Sequence, residues 1–358
     1  MNTHRISRLG LPALLPKYIL FLAFCLVFAA HISGAPGRED AVKTDTFAIA
    51  VFIPGVVAGS PTYEMLVAGV ERAASERPDT TVKIVEGGFN QGDWEGSVTA
   101  LAAAGSYALI VSSNPALPEI CRRVSEDFPE QHFLVLDGHL DGHEKIHTVL
   151  YNQMEQAYLI GHMGGLVTTG SMPGANSDLK VGLIAGTEYP IMNQVIRIGF
   201  ELGLKSVNAE IRLDFRVVGN WYDAAKGADL AAGMFDSGTD VILTIAGGAN
   251  QGVISEARKR GKYVLWFDSN GYNEAPGIVV GCSVLNQEQM AFEKTILAID
   301  GGLTYGSAEI VGVRDGYVEF VEDDERYVEH VPESIRSSQH ALILSMTSGK
   351  IEFTMPVF

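Results

Sequence analysis

Short apolar runs alternate with longer amphipathic segments from residue 45 onward. The runs are rich in β-branched and aliphatic residues and are bounded by turns, a pattern typical of buried strands. The segments between them carry apolar residues three or four positions apart, which predicts helices. This alternation predicts βαβ units and a parallel sheet covered on both faces. The first four strands are predicted at residues 47–53, 82–87, 108–113 and 132–138.

The same series starts again in the second half of the chain, with strands predicted at 180–186, 211–219, 240–247 and 263–268. A strand and a helix at 147–167 link the two series, and a strand at 277–286 leads into a further helix. The stretch at 311–322 resembles a hairpin. We therefore predict two similar α/β lobes joined by several chain crossings, which make a hinge. The N-terminal lobe takes residues 45–142 and 287–308, and the C-terminal lobe takes 143–286 and 309–358.

Residues 1–40 predict an export signal followed by a linker. Basic residues precede an uncharged apolar run from Tyr18 to Ala30, and small residues follow it, an order typical of a secretory signal. The run is shorter than the roughly 20 residues that span a bilayer. Cys25 is a candidate for lipidation, and a signal that is cleaved or retained is the alternative. We therefore predict an exported protein that is periplasmic or anchored to the membrane through this segment.

Composition and charge exclude some functions. Apolar residues make up 47% of the 358 residues and charged residues 19%, which indicates a globular protein. The net charge of -17 argues against nucleic-acid binding, because phosphate neutralisation needs clustered Lys and Arg. Cys121 and Cys282 fall in a predicted helix and a predicted strand, which favours two isolated buried thiols. The spacing of Cys and His does not indicate a zinc site, and we predict no metal.

The stretch TIAGGANQGV at 244–253 places glycines between a predicted strand and a predicted helix. A dinucleotide site requires the strict G-x-G-x-x-G spacing in the first βα unit of its fold, which this stretch does not meet. A tight connecting turn explains the glycines without any ligand. We favour a third interpretation, a small-molecule site, because ligands bind at the carboxyl ends of parallel strands and glycine permits close backbone contact.

Polar side chains follow several other predicted strands. In the first lobe Asn114 comes just after a predicted strand and Asp137 lies at the end of one, and in the second lobe Trp221 and Asp268 lie in the same way. Amide, carboxylate and indole groups suit the recognition of hydroxyls and the stacking of a ring. They do not make the nucleophile and base of a Ser, His and Asp catalytic set. We therefore predict a binding protein rather than an enzyme, with no cofactor besides the ligand that it carries.

Several stretches carry a resemblance to a known family, in chain order FPEQHFLVLDG, YNQMEQAYLIGHMGG, NWYDAAKGADLAAGMFDSGTDVI, AGGANQGVISEARKRG and VLWFDSNGY. From about residue 45 to its end the chain resembles the basic membrane protein, or PnrA-like, family of ABC-transporter solute receptors. The resemblance implies a two-lobed type I periplasmic-binding fold, with a helix-flanked parallel sheet in each lobe and a three-crossover hinge. It also implies a ligand enclosed between the lobes and an ABC permease as partner, and we expect a monomer.

The ring site implied by this resemblance departs from the family pattern. The family reads D-K-S-F-N-Q before its first helix, with the Phe stacking on the base of the ligand. In this chain Thr62 matches that Phe, and the neighbouring Tyr63 is the substitute ring. Trp221 matches the second stacking Phe of the nucleoside receptors. An indole opposite a phenol makes a larger stacking surface than two phenyl rings.

The sugar site implied by the resemblance is also changed. Asp268 matches the aspartate that holds ribose hydroxyls, and Gly248 matches the backbone that approaches the sugar. The family's lysine falls on the neutral Asn286, which both donates and accepts hydrogen bonds. These changes favour a wide heteroaromatic ring with a flexible polyol, so we predict riboflavin, the ligand of the family's RfuA branch. A purine nucleoside is the alternative within the family, and a flavin-using α/β enzyme is the alternative outside it.

Overall fold

A computed structural model describes residues 46–357 of the chain. The predicted export segment at 1–40 and the lipidation candidate Cys25 lie outside the described residues. The described strands form two six-stranded sheets, with the orders β2-β1-β3-β4-β5-β11 and β7-β6-β8-β9-β10-β12. In chain order these strands are β1 Phe47–Ile53, β2 Thr80–Glu86, β3 Leu109–Ser113, β4 His132–Leu136, β5 Ile146–Tyr151, β6 Lys180–Ala185, β7 Arg212–Val217, β8 Val241–Ile245, β9 Tyr263–Asp268, β10 Val279–Leu285, β11 Ala308–Val311 and β12 Val318–Phe320.

The helices begin and end at residues suited to those places. Pro61 opens the first helix, the Asn152 and Asp223 side chains cap two others, and Gly261 ends a fourth in the left-handed conformation. None of the helices within residues 46–357 combines the length and the apolar character needed to cross a membrane. The helices are α1 Pro61–Ser75, α2 Trp94–Ala103, α3 Leu117–Asp127, α4 Gln153–Thr169, α5 Arg197–Val207, α6 Ala224–Asp236, α7 Asn250–Arg260, α8 Gln287–Ile299, α9 Glu325–His330 and α10 Glu333–Thr347.

The two sheets have the same internal order of strands. All pairings in the first sheet are parallel, and the second differs only in that β12 runs antiparallel to β10. The central strands β3 and β8 are buried along their whole length, which explains their unbroken apolar sequence. Strands that hold the same place in the two sheets, such as β4 and β9, therefore end at corresponding carboxyl edges, and so the loops that follow them lie at corresponding places in the two lobes.

The chain passes between the lobes three times within the described residues. After β5 it enters α4, which packs on α5 of the second lobe, where Gly161 and Gly203 let the helix backbones approach closely. After β10 it enters α8, which packs on α1 of the first lobe. The third passage joins β11 of the first sheet to β12 of the second. This arrangement confirms the predicted two-lobed fold with three crossovers.

Strand pairing corrects the predicted boundaries of the lobes. Because β5 pairs with β4, the first lobe continues to Tyr151 instead of ending at residue 142. Because β11 pairs with β5, the segment that returns to the first lobe runs to Val311 rather than to residue 308. The predicted hairpin at 311–322 is wrong, since β11 and β12 belong to different sheets and the residues between them form the third crossing.

Candidate ligand-binding site

Two aspartates occupy corresponding places in the two lobes. Asp137 directly follows β4, and Asp268 is the last residue of β9. Both have a left-handed backbone, with φ of 52° and 69°, a conformation that costs a non-glycine residue about 1 kcal/mol. Backbone strain of this kind concentrates at sites where a side chain must be aimed for function. The lobes therefore present matching carboxylates at the carboxyl edges of their sheets.

The two carboxylates, called the acidic pair below, lie close enough to influence each other. Both residues are half-buried. Burial raises the pKa of Asp137 to about 8, and the Asp268 carboxylate adds to this effect. Burial raises the pKa of Asp268 to about 6, although a hydrogen bond from Gln156 Nε2 to Asp268 Oδ1, at 3.1 Å, opposes the shift. At neutral pH these pKa values leave Asp268 ionised and Asp137 mostly protonated, so the pair both accepts and donates hydrogen bonds and suits the hydroxyl or amide groups of a ligand.

A set of buried polar atoms lies near the acidic pair and is called the polar floor below. It consists of Tyr151 Oη, Gln156 Oε1 and Ser283 Oγ, none of which has a hydrogen-bond partner within residues 46–357. Gln156 Nε2 donates to Asp268 and, at 3.3 Å, to the Ser283 carbonyl. Burial and then the Asp137 carboxylate raise the pKa of Tyr151, which shows that the phenol lies near Asp137. Buried polar atoms are nearly always paired, so a polar ligand is the partner that this set suits.

Tyr63 forms an aromatic wall in the first lobe. It stands in the first turn of α1, and its ring packs over Gly55, where an added Cβ would lie 3.0 Å from Tyr63 Cε2. The Tyr63 hydroxyl donates to the Pro54 carbonyl at 3.2 Å. Burial raises the pKa of Tyr63 to about 12, an effect that nearby Asn114 opposes and the Asp137 carboxylate reinforces. The structure thus brings together three residues that the sequence predicted, namely Tyr63, Asn114 and Asp137.

Trp221 forms the corresponding wall in the second lobe. Its indole packs against Gly186, where an added Cβ would come within 2.6 Å of the ring, and 41% of the residue remains exposed. Tyr189 stands beside it, with 6.3 Å between the ring centroids. Burial, followed by the carboxylates of Asp268 and Asp137, raises the pKa of Tyr189. The ring pair of Trp221 and Tyr189 therefore borders the acidic pair.

The glycine-rich turn after β8 supports the loop that carries Trp221. Gly247 has a φ of 56°, and an added Cβ would lie 2.6 Å from the Trp221 carbonyl oxygen. The Gly248 N–H donates to that oxygen at 2.8 Å. Gly252 lets α7 approach α6, since its Cβ would lie 1.8 Å from the Ala224 carbonyl oxygen. Each glycine has a role in packing, and the predicted contact of Gly248 with a ligand stays a prediction.

The described residues near the acidic pair suit an organic ligand better than a metal ion. Across residues 46–357, groups of three His, Cys, Asp or Glu side chains placed to hold a metal ion do not occur. Cys121 and Cys282 are buried free thiols, as the sequence predicted. Burial raises the pKa of Cys282 to about 12, so that thiol is protonated and unreactive at neutral pH. The chemistry near the acidic pair is therefore that of carboxylates, hydroxyls, amides and rings.

The sequence of the chain and its fold are similar to those of known proteins. The sequence model of the ABC transporter substrate-binding protein PnrA-like family matches residues 47–352. The chain belongs to this family. ABC transporter nucleoside-binding protein BmpA of Lactococcus lactis subsp. cremoris is 29% identical to this PnrA-like chain over 152 residues, 42% of the chain and 41% of the relative. Basic membrane protein A2 of Borrelia garinii subsp. bavariensis is 23% identical over 319 residues, 86% of the chain and 88% of the relative.

A solved structure supports the fold of the PnrA-like chain. The crystal structure of an ABC transporter system solute-binding protein from Aeropyrum pernix K1 matches it with a TM-score of 0.74 at 20% identity, covering 87% of this chain and 94% of that one. The PnrA-like chain spans about half the length, or less, of several curated relatives that it matches. These similarities establish the family and the fold of the chain.

Two residues carried over from the family pattern have contacts away from the acidic pair. The Thr62 carbonyl accepts a hydrogen bond from Gln287 Nε2 at 2.6 Å, which ties the start of α1 to the start of α8. The Asn286 side chain lies near the Glu319 carboxyl. It is Ser283, three residues earlier in the PnrA-like chain, that belongs to the polar floor. The ligand roles of Thr62 and Asn286 stay predictions.

Sequence reasoning missed the polar floor and Tyr189. The stretch YNQMEQAYL predicts a link between the lobes, and its pattern does not assign a role to its polar residues. Gln156 is fully buried in α4, where Gln153 and Glu155 are polar and buried as well, so no local pattern singles it out. Its contact with Asp268 joins residues 112 positions apart, so it follows from the crossing of the chain rather than from any local pattern.

The acidic pair predicts a pH-dependent stability of the empty protein. Burial raises the folded-state pKa of Asp137 from 3.8 to about 8. The protonated Asp137 carboxyl therefore contributes its full share to the free energy of unfolding below about pH 4, and this share is lost progressively as the pH rises through 8. Asp137→Asn cannot ionise and tolerates the left-handed backbone. We expect this variant to melt roughly 5 °C or more above the wild type at pH 8, with a smaller difference at pH 5. Differential scanning calorimetry at both pH values checks the result.

The exposed Asp141→Asn in the same loop region is the control, and its melting temperature should follow that of the wild type at both pH values. If Asp137→Asn gains no more at pH 8 than at pH 5, the folded protein does not hold Asp137 in the desolvated, repelled state described above.

Proposed function

We propose that this PnrA-like protein is the substrate-binding component of an ABC importer, which captures riboflavin between its lobes and delivers it to a membrane permease. The observation that carries the proposal is the acidic pair, with Asp137 and Asp268 coming from opposite lobes. Tyr63 lies beside Asp137, and Trp221 with Tyr189 lies beside Asp268. A ligand that has both an aromatic ring and a chain of hydroxyls is complementary to rings and carboxylates together.

The polar floor supports a ligand with several hydroxyls. The hydroxyls of Tyr151 and Ser283 donate and accept hydrogen bonds, and Gln156 Oε1 accepts them. Each hydroxyl of a ribityl chain also donates and accepts, so such a chain satisfies these atoms together with the acidic pair. An analogue that lacks the hydroxyls leaves the buried groups unpaired, and sites of this kind reject such analogues strongly.

Closure of the lobes around the ligand is the proposed mechanism. At neutral pH, closure of the empty protein brings the two carboxylates into mutual repulsion unless Asp137 takes up a proton, and both outcomes disfavour closure. A ligand that donates hydrogen bonds to both carboxylates offsets this repulsion and binds the closed form better, so it shifts the population toward closure. Open and closed forms present different surfaces to the permease, which distinguishes the loaded protein from the empty one.

A purine nucleoside is the second candidate ligand. The Lactococcus lactis relative is named a nucleoside-binding protein, which favours this candidate. A nucleoside also combines a ring with hydroxyls, so it suits the same walls and the same acidic pair. It fills less of the ring surface and offers fewer hydroxyls to the polar floor than riboflavin does.

A visible absorption spectrum of the purified protein, with mass analysis of the molecule released by heat, tests the proposed function. A yellow protein that releases riboflavin supports the proposal, and a released purine nucleoside supports the second candidate. Release of FMN or FAD favours a flavin-using enzyme instead. An empty protein is titrated with riboflavin and with inosine, and failure to bind either at micromolar concentration contradicts both candidates.

The stacking wall of the second lobe gives a further expected result. Trp221→Ala removes the indole that packs on Gly186 and is expected to weaken riboflavin binding about 30-fold, whereas Trp221→Phe, which keeps a ring, loses less. Isothermal titration calorimetry measures both. Tyr222→Ala is the control, because Tyr222 is the next residue and is 79% exposed. Equal losses for Trp221→Ala and Tyr222→Ala would contradict stacking on the indole.

We also propose that the protein is exported as a monomer, with residues 1–40 as signal and linker. The exported form is either free in the periplasm or attached to the membrane by a lipid on Cys25. The mass of the mature N-terminal peptide distinguishes the two, because lipidation begins the mature chain at a modified Cys25 and cleavage further along removes that residue.

A further inference from the structure

Phe89 is an exposed ring on an anchored loop. It follows β2 by three residues and is 74% exposed. The Gly88 N–H just before it donates to the Gly55 carbonyl at 3.0 Å, and Trp94 Nε1 donates to the Gly88 carbonyl at 2.8 Å. Asn90 just after it accepts a hydrogen bond from a backbone N–H two residues on. Core packing does not account for a phenyl ring held in this way toward solvent, where its apolar surface is hydrated at a cost in free energy.

Phe89 lies beside the aromatic wall of the first lobe. A Cβ added at Gly55 would lie 3.0 Å from Tyr63 Cε2 and 3.6 Å from Phe89 Cε1, so both rings border the same bare backbone. The hydroxyl end of Tyr63 lies toward Asn114 and Asp137. Phe89 therefore extends the apolar surface of this wall beyond Tyr63.

The second lobe has a corresponding arrangement. The Gly219 N–H donates to the Gly186 carbonyl at 2.8 Å, as the Gly88 N–H donates to the Gly55 carbonyl. Gly88 and Gly219 both have positive φ, 64° and 94°. Trp221 follows Gly219 by two residues and packs on Gly186. In each lobe, therefore, the loop after the second strand brings an exposed ring to a glycine that closely follows the first strand.

We propose that Phe89 is a specificity-determining residue that widens the first-lobe stacking surface for a planar fused-ring ligand larger than a purine. The inference rests on the proposed function and deepens it. Tyr63 and Trp221 are enough to stack on the two fused rings of a purine. Tyr63 together with Phe89 offers the wider surface that three fused rings require, so Phe89 contributes to the binding of a tricyclic ligand and little to that of a nucleoside.

Calorimetric titration of the full-length protein with riboflavin and with inosine tests this inference. Phe89→Ala is expected to raise the Kd for riboflavin about tenfold and to change the Kd for inosine less than about twofold. Phe89→Leu keeps apolar volume without a ring and should fall between Phe89→Ala and the wild type. Tyr222→Ala, which removes an equally exposed ring from the other lobe, should change neither Kd. Because Phe89 is exposed, melting temperatures should stay within about 2 °C of the wild type.

The outcomes separate the inference from the proposed function. If the wild type binds riboflavin and Phe89→Ala keeps its affinity within twofold, the role of Phe89 is overturned while the function stands. Equal losses for riboflavin and inosine overturn the selection for wide rings, as does a wild type that binds only inosine. A wild type that binds neither molecule overturns the proposed function, and the inference falls with it.

Discussion

Asp268→Ala is expected to weaken ligand binding by roughly 100-fold or more, because the variant loses an acceptor for which hydrogen bonds are charge-assisted. The same change leaves Gln156 Nε2, which donates to Asp268 Oδ1 at 3.1 Å, without its carboxylate partner. Asp268→Asn keeps an acceptor oxygen and tolerates the φ of 69°, so its loss should be smaller, about tenfold. Isothermal titration calorimetry with riboflavin and with inosine measures both variants.

Asp229→Ala is the matched control for this experiment, because Asp229 is exposed on α6 of the same lobe. Its affinity should equal that of the wild type. A loss of less than about threefold in Asp268→Ala, with the melting temperature retained, would place the ligand away from the acidic pair, since charge-assisted hydrogen bonds contribute more than that. If Asp268→Ala loses both its affinity and its melting temperature, the substitution has disturbed the fold. The affinity of Asp268→Asn, which keeps the local backbone, then decides whether the carboxylate binds the ligand.

Gly252→Ala is expected to lower the free energy of unfolding by about 3 kcal/mol, because α6 and α7 cannot stay at their present separation. An added Cβ would lie 1.8 Å from the Ala224 carbonyl oxygen and 2.8 Å from the Ala228 nitrogen. These are backbone atoms, so relief requires a shift of a whole helix rather than of one side chain. Equilibrium unfolding in urea measures the difference.

Gly96→Ala is the matched control, because Gly96 and Gly252 are each the third residue of a helix. An added Cβ at Gly96 has open space within 4 Å, so the substitution should raise the free energy of unfolding by roughly 0.5 to 1 kcal/mol through helix propensity. Equal effects of the two substitutions would contradict the close packing of α7 on α6 at Gly252.

The glycine turn illustrates how far a sequence pattern reaches. TIAGGANQGV predicts a site where backbone approaches a ligand, which stays a prediction, and the structure shows Gly247 and Gly248 against the Trp221 backbone and Gly252 against α6. The signal for close approach was real, since an added side chain clashes at Gly247 and at Gly252. The identity of the approaching group was not readable, because it comes from a loop about 25 residues earlier in the chain.

Local periodicity determined most of the fold. The runs at 47–53 and 240–247 predicted β1 and β8 because a strand buried on both faces is apolar throughout, and this property belongs to the segment itself. Asp137, Asp268 and Trp221 were also predictable, because polar and aromatic residues directly after parallel strands collect at one edge of a sheet.

Only the tertiary structure decided which strands pair and which side chains meet. The sheet that β5 and β11 join depends on a pairing of residues 308–311 with 148–151, which no window of neighbouring residues contains. The contact of Gln156 with Asp268, the lack of a hydrogen-bond partner for Tyr151 Oη among the described residues and the position of Phe89 beside Tyr63 depend in the same way on distant segments. Sequence patterns report the preferences of single elements, whereas a site between two lobes is made of contacts among elements that are far apart in the chain.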